Sequence, residues 1–158
     1  LASAERNEDI NIVIDAGGLY YMKEFGCPSS AIITPHPGEA AMLLDCSVEE
    51  LQENRLGAAK ELYKKYNCLI ILKGYQTIVF DGEAYQCTNG GPALSTAGTG
   101  DVLAGLIGSF LAQGLSKTDA AKFSVAIHGA AGDRFSRNKR IRGLTATKLI
   151  KIINEEMI

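Results

Sequence analysis

The chain of 158 residues is 46% hydrophobic and 22% charged, with a formal net charge of -2, so it reads as one soluble globular unit with material for a sizeable core. No stretch approaches the roughly 20 apolar residues of a membrane span. The near-neutral charge gives no long-range attraction for nucleic acid or anionic lipid, leaving only a local basic patch of Arg134, Arg137, Lys139, Arg140 and Arg142.

Ile10 to Ile14 is a short apolar, β-branched run ending at Asp15 and Gly17, the profile of a buried parallel strand that delivers a polar side chain to the sheet's C-terminal edge. Leu19 to Phe25 predicts a short helix stopped by Gly26, and Ser30 to Thr34 a second strand running into Pro35, His36, Pro37, Gly38 and Glu39. The two prolines fix a loop there, and Glu39 opens a helix carrying Ala40, Met42, Leu43 and Leu44. Leu51 to Tyr66 has helical spacing of Leu51, Leu56, Ala59, Leu62 and Tyr63 and is expected to be one helix. Cys68 to Leu72 is a continuous apolar strand, with Lys73 and Gly74 at its end.

Gln76 to Phe80 and Glu83 to Cys87 flank Asp81-Gly82, a hairpin signal because both turn residues tolerate positive φ. Asp101 to Gln113 is apolar on nearly every side and predicts a buried helix, ended by Gly114. Ser116, with Thr118 as the alternative cap, starts the next helix, which runs through Phe123 and Val125 toward His128. Gly143 and Thr145 precede a final amphipathic helix with Leu149, Ile150, Ile152 and Ile153.

Strand followed by helix, several times, with a late hairpin, favours a layered α/β fold. Three parallel strands and one hairpin make a thin sheet for a nucleotide enzyme. Two expectations follow and stay open here: the chain is the later portion of a larger domain, or it is a minimal protein completed by a partner. A sheet cut short would leave apolar area exposed, so a homo-oligomer is expected. Cys27, Cys46, Cys68 and Cys87 are widely spaced without a C-x-x-C pair, which fits reduced, structural thiols better than a zinc knuckle or a disulfide framework. The N-terminal residues show neither a basic start nor a hydrophobic targeting core, so no export is expected and a cytoplasmic location is.

The most informative segment is Ser95 to Gly105, STAGTGDVLAG, where a glycine-spaced turn opens an apolar helix and carries Asp101. Free N–H groups at such a helix start hold phosphate oxygens, and Asp101 stands ready to cap the helix or to take a proton. The spacing is neither that of a P-loop nor that of a dinucleotide fingerprint. Lys73, after its strand, reads either as a solvated charge or as a counterion for phosphate. His36, between prolines, reads as a site residue or as loop structure, and Glu39 as a site residue or a first-turn acid. His128 and Asp133 read first as a buried helix contact and a surface cap.

Taken in order, TPHPGE at Thr34 to Glu39, LKG at Leu72 to Gly74 and AGTGDVLAG at Ala97 to Gly105 resemble the nucleotide-dependent NAD(P)H-hydrate dehydratases, cofactor-repair enzymes of the ribokinase-like fold. HGAAGD at His128 to Asp133 and GLTATKL at Gly143 to Leu149 extend the likeness over almost the whole chain. The resemblance implies a three-layer ribokinase-like α/β fold, incomplete at its N-terminal side, with residues 1–158 forming the C-terminal part of the family domain. It implies that ADP or ATP, with Mg2+, phosphorylates the hydroxyl of hydrated NADH or NADPH and that phosphate then leaves; TPHPGE tilts the nucleotide toward ADP.

By the same resemblance Asp101 is the proton acceptor, the N–H groups of Gly98, Thr99 and Gly100 hold the phosphoryl group, and Lys73 lies on the nucleotide side. Asp15, His36, Glu39 and Asn89 fall to the hydrated substrate, with His36 and Glu39 near it or a divalent cation, and no metal ligands are assigned. The chain departs from the family pattern in having Gly17 in place of a second aspartate, Tyr20 in place of asparagine, and Gly91 before Pro92 where asparagine is usual, with Asn89 nearby as the substitute amide. Those departures keep two alternatives: a ribokinase-like kinase of a vitamin-like alcohol, and a nucleotide-binding protein with impaired catalysis.

Overall fold

The computed structural model describes residues 10–137 and 143–156; Lys139, Arg140 and Arg142 of the expected basic patch lie outside the described residues. Strands β1 (Ile12–Ile14), β2 (Ala31–Ile33) and β3 (Leu69–Leu72) are parallel, and β4 (Ile78–Phe80) and β5 (Ala84–Gln86) add antiparallel strands, in the order β1-β2-β3-β4-β5. The register pairs Ile32 with Leu69 and Ile70 with Phe80. Asp81-Gly82 makes the β4–β5 turn as the sequence predicts: Gly82 has φ +83° and the Asp81 N–H donates to the Glu83 carbonyl at 3.2 Å.

Helices α1 (Gly17–Phe25), α2 (Pro37–Leu44), α3 (Val48–Glu53) and α4 (Arg55–Tyr66) cover one face of the sheet. There Ile33, Ile70, Leu72 and Phe80 meet Leu19, Met22, Leu43 and Leu62. Helices α5 (Thr99–Ala112) and α6 (Lys117–Ser136) cover the other, where Ile32, Leu69, Ile71 and Val79 meet Leu103, Ile107, Ala121 and Val125. Consecutive residues of a strand point to opposite faces, so an uninterrupted run such as LIIL in β3 is what two covered faces require. Each fully buried Leu or Ile contributes about 1.5–3 kcal/mol. Helix α7 (Ala146–Glu156) packs Leu149 and Ile153 beside α5, α6 and the 3₁₀ turn Pro92–Leu94. The result is the expected three-layer α/β fold.

Two local expectations are corrected. Residues 51–66 do not form one helix: Ser47 and Glu50 make a capping box that starts α3 early, and Asn54, at φ -141°, accepts the Gly57 N–H and starts α4 afresh. Nor is α5 buried all round. Leu103 and Ile107 point inward, whereas Asp101, Gly105 and Ser109, four residues apart, form an exposed row. The apolar reading of that helix came partly from glycine and alanine, which an outward face tolerates. Ser116, not Thr118, caps α6 by accepting the Asp119 N–H, while the Thr118 hydroxyl donates to Asp81. Helix α6 continues past His128 to Ser136. Among the described residues no helix is long and apolar enough to cross a membrane.

Candidate active site

The C-terminal ends of β1 and β3 meet across β2. Lys73 Nζ lies 2.8 Å from Asp15 Oδ1 and 3.9 Å from Glu39 Oε2, in a pocket that leaves the Lys73 and Asp15 side chains only 19% and 14% exposed. Lys73 is therefore not a solvated charge. Burial pushes the Asp15 carboxyl up, but the hydrogen bond and charge of Lys73 outweigh it and hold Asp15 below the ordinary carboxylate value. The backbone beneath Lys73 is fastened by Arg55, which donates to the carbonyls of Leu72 and Lys73 at 3.2 Å each. Nothing in the local sequence marks Arg55 for this task; it arrives because the break at Asn54 aims the first turn of α4 at the end of β3.

His36 and Glu39 are brought together as a reciprocal cap on α2. His36 Nδ1 accepts the N–H groups of Gly38 and Glu39 at 3.0 and 3.2 Å, and Glu39 Oε2 accepts the His36 N–H at 2.7 Å. An Nδ1 that accepts carries no proton, so the neutral ring is the Nε2–H tautomer, with Nε2 at 3.5 Å from Glu39 Oε1. Both residues thus perform the structural duties weighed for them, and Glu39 is at the same time the second carboxylate near Lys73.

The start of α5 forms the opposite wall. Gly98 takes φ +85° as its N-cap, a conformation that disfavours a side chain, and a Cβ there would lie 3.2 Å from Ala146 Cβ. A Cβ on Gly100 would stand 3.4 Å from Lys73 Nζ and 3.6 Å from Asp15 Oδ2, so the helix N-terminus and the ion pair share one space. Thr99 does not offer the donor expected of it. Its N–H bonds the Thr96 carbonyl at 3.2 Å, and its hydroxyl donates to the carbonyls of Leu94 and Thr96 at 2.6 and 2.8 Å. Thr99 braces the turn, leaving the amides of Gly98 and Gly100 as the expected donors.

These elements enclose a cleft of about 530 Å³, large enough for a nucleotide. Its walls are Lys73 to Tyr75 and Thr77, the Asn89 to Pro92 loop, Thr99 and Gly100, and Val125, His128 and Gly129 of α6, with His36 at the rim. Asn89 lies in this wall. Asp15, Glu39, Gly98 and Asp101 are not in the lining: Asp15 and Glu39 contact Lys73 beside it, Gly98 is the N-cap of α5, and Asp101 is exposed on the first turn of α5, next to Gly100 which does line the cleft. His128 Nε2 bonds the Thr99 carbonyl at 2.9 Å, so it is the donor nitrogen. Burial, helped by the nearby Lys73 charge and opposed by the bond to Thr99, holds the His128 pKa below the ordinary imidazole value.

The family model described as NAD(P)H-hydrate dehydratase matches residues 2–155. This chain belongs to the NAD(P)H-hydrate dehydratase family. It is 41% identical over 145 residues to the bifunctional NAD(P)H-hydrate repair enzyme Nnr of Vibrio cholerae serotype O1, a match covering 90% of this chain and 29% of that protein. The crystal structure of the ADP/ATP-dependent NAD(P)H-hydrate dehydratase of Bacillus subtilis, co-crystallised with ATP and Mg2+, superposes with a TM-score of 0.85 at 32% identity, over 93% of this chain and 54% of that one. A ribokinase-like superfamily protein of Enterococcus faecalis V583 gives 0.79 at 26% identity, over 93% and 52%. This family member therefore has the ribokinase-like architecture, and it spans about half the length of these solved chains and less of the Vibrio protein.

Tyr75 was not singled out from the sequence, and Asp133 was given a different role there. Tyr75 is 78% exposed in the cleft wall, held between Gly74 at φ +130° and Gln76 at φ +52°. Asp133, read as a surface cap, instead accepts the Gly90 N–H through Oδ2 at 3.0 Å. The Asp133 contact joins segments 43 residues apart, and only the HGAAGD motif marked its position in the sequence.

Proposed function

We propose that this chain carries out the nucleotide-handling chemistry of an ADP- or ATP-dependent NAD(P)H-hydrate dehydratase, as its Bacillus relative is named to do. The observation that carries the reading is the placement of the Lys73 ammonium 3.4 Å from the Cβ position of Gly100. It sets a partly buried cation and a helix N-terminus against the same 530 Å³ cleft. Polyphosphate is the ligand such a pairing suits, with Lys73 as the point charge and the amides of Gly98 and Gly100 as oriented dipoles.

In this reading the nucleotide enters the cleft and the hydrated nicotinamide is held by Asp15, His36, Glu39 and Asn89, with its hydroxyl directed at Asp101 on the first turn of α5. Asp101 takes the proton of the ring hydroxyl as its oxygen forms a bond to phosphorus and the nucleotide's P–O bond breaks, releasing AMP from ADP or ADP from ATP. Phosphate then leaves with the C–O electron pair while a neighbouring ring carbon gives up a proton, which restores the double bond. Hydroxide is a poor leaving group and phosphate spreads the charge, which is why the nucleotide is needed. A Mg2+ ion accompanying the nucleotide would be held by phosphate oxygens and water, with the Asp15 carboxylate as a candidate ligand from this chain, and would offset the charge of the phosphates.

Residues 1–158 stand for the C-terminal part of the family domain in this proposal. A cytoplasmic location, homo-oligomers and no nucleic-acid partner belong to it too, supported by four free thiols, by exposed Tyr20, Tyr21 and Phe25, and by the small net charge. The test is incubation of the chain with hydrated NADH and ADP or ATP, following the return of nicotinamide absorbance and the release of inorganic phosphate. Recovery of both supports repair. A stable phosphorylated product points to a kinase, and nucleotide binding without turnover to an impaired relative.

A further inference from the structure

Helix α6 presents one face to the cleft and to the loop that forms its wall. A Cβ on Gly129 would stand 2.8 Å from the Asn89 carbonyl oxygen, and one on Gly132 would stand 2.6 Å from Leu94 Cγ. Only glycine permits the loop to lie this close. At the end of the same face the Asp133 carboxylate accepts the Gly90 N–H at 3.0 Å, and Gly90 itself takes φ +102°. At the other end His128 donates to the Thr99 carbonyl at 2.9 Å, while the Thr99 hydroxyl donates to the Leu94 carbonyl at 2.6 Å. These contacts form a closed circuit: α6 holds the loop, the loop holds Thr99, and Thr99 is held by α6.

We infer that the face of α6 from His128 to Asp133 is the template of the cleft, with Asp133 and His128 as positioning residues that fix the Asn89 to Leu94 wall and the first turn of α5 for a nucleoside di- or triphosphate. The inference rests on the reading of the cleft as a nucleotide site. Neither residue needs to touch the reacting atoms. Their effect is preorganisation: a wall already shaped before the ligand arrives costs no ordering entropy on binding. The carboxylate of Asp133 is suited to this task, because a charge-assisted bond to a backbone N–H is stronger than a neutral one and fixes a glycine that otherwise has wide conformational freedom.

Hydrogen exchange and ADP calorimetry on the whole chain test it. In Asp133→Ala the amides of residues 89–95 should exchange at least about tenfold faster while those of β3 and β4 keep their rates, and ADP should bind at least about tenfold more weakly. Asp133→Asn keeps an oxygen toward Gly90 and should restore most of both. Unchanged exchange overturns the inference, as does faster exchange with unchanged ADP affinity, or a uniform loss of protection throughout α6. If the alanine variant fails to fold, His128→Leu and His128→Gln supply the same comparison at the Thr99 end, since only glutamine retains a donor. A wild-type chain that binds no ADP counts against the nucleotide reading, whereas the exchange rates alone still decide whether α6 shapes the wall.

Discussion

Lys73 Nζ and Asp15 Oδ1, 58 residues apart in sequence, stand 2.8 Å from each other across the end of β2. The bond ties the ends of β1 and β3, so Lys73 has a duty to the fold besides any to a ligand. Lys73→Met should therefore weaken ADP binding and also destabilise the chain by about 1–2 kcal/mol, because the carboxylate it leaves behind is largely buried. Denaturant unfolding of Lys73→Met, Asp15→Asn and the double variant checks this. The double variant should be less destabilised than the sum of the two single ones, and strict additivity would remove the coupling.

Gly100→Ala separates binding from folding. Gly100 has helical geometry, and the added Cβ would meet Lys73 Nζ at 3.4 Å and Asp15 Oδ2 at 3.6 Å, ordinary contact distances. Alanine also favours helix over glycine by about 0.8–1.0 kcal/mol. The variant should be as stable as the wild type or more so, yet bind ADP at least about tenfold more weakly because the methyl group occupies the space between the helix start and the ammonium. Equal affinity in calorimetry would mean that phosphate does not enter there.

Asp101→Asn addresses the chemistry. Its side chain is exposed at the first turn of α5, so the substitution should alter stability by no more than about 0.5 kcal/mol through loss of a charge at the helix start. Turnover of hydrated NADH should nevertheless drop about a hundredfold or more with nucleotide affinity kept, the signature of a lost proton acceptor. Full activity in the variant would take that role from Asp101.

The pH dependence of stability reports on His128. Burial holds its folded-state pKa below the unfolded value of about 6.5, so the unfolded chain takes up a proton first as the solution is acidified. Its contribution is full above the unfolded pKa and is lost as pH falls through the folded one. Asp15, also lowered, behaves alike but in the acid range below about 3.9. The melting temperature should fall between about pH 7.5 and about pH 5.5, and fall less in His128→Gln, whose amide does not titrate. Superimposable pH profiles for the two proteins would exclude His128 as the source.

What the sequence settled by itself is what short-range physics controls. The uninterrupted apolar run of β3 announces a strand covered on both faces, Asp81-Gly82 a tight turn, and GTGD a helix start, because each is decided by neighbours within a few residues. Family motifs in order added the architecture. Hydrophobic spacing alone misjudged two helices: it ran through Asn54, whose side-chain cap outweighs the helical pattern, and it counted the glycine and alanine of α5 as buried. The partners of the polar groups were settled only in three dimensions. Lys73 pairs with Asp15, Arg55 fastens the end of β3, and Asp133 reaches Gly90 because strand register and helix packing bring distant segments together. A charged side chain's role follows from what compensates its burial, and that compensation exists only once the chain has folded.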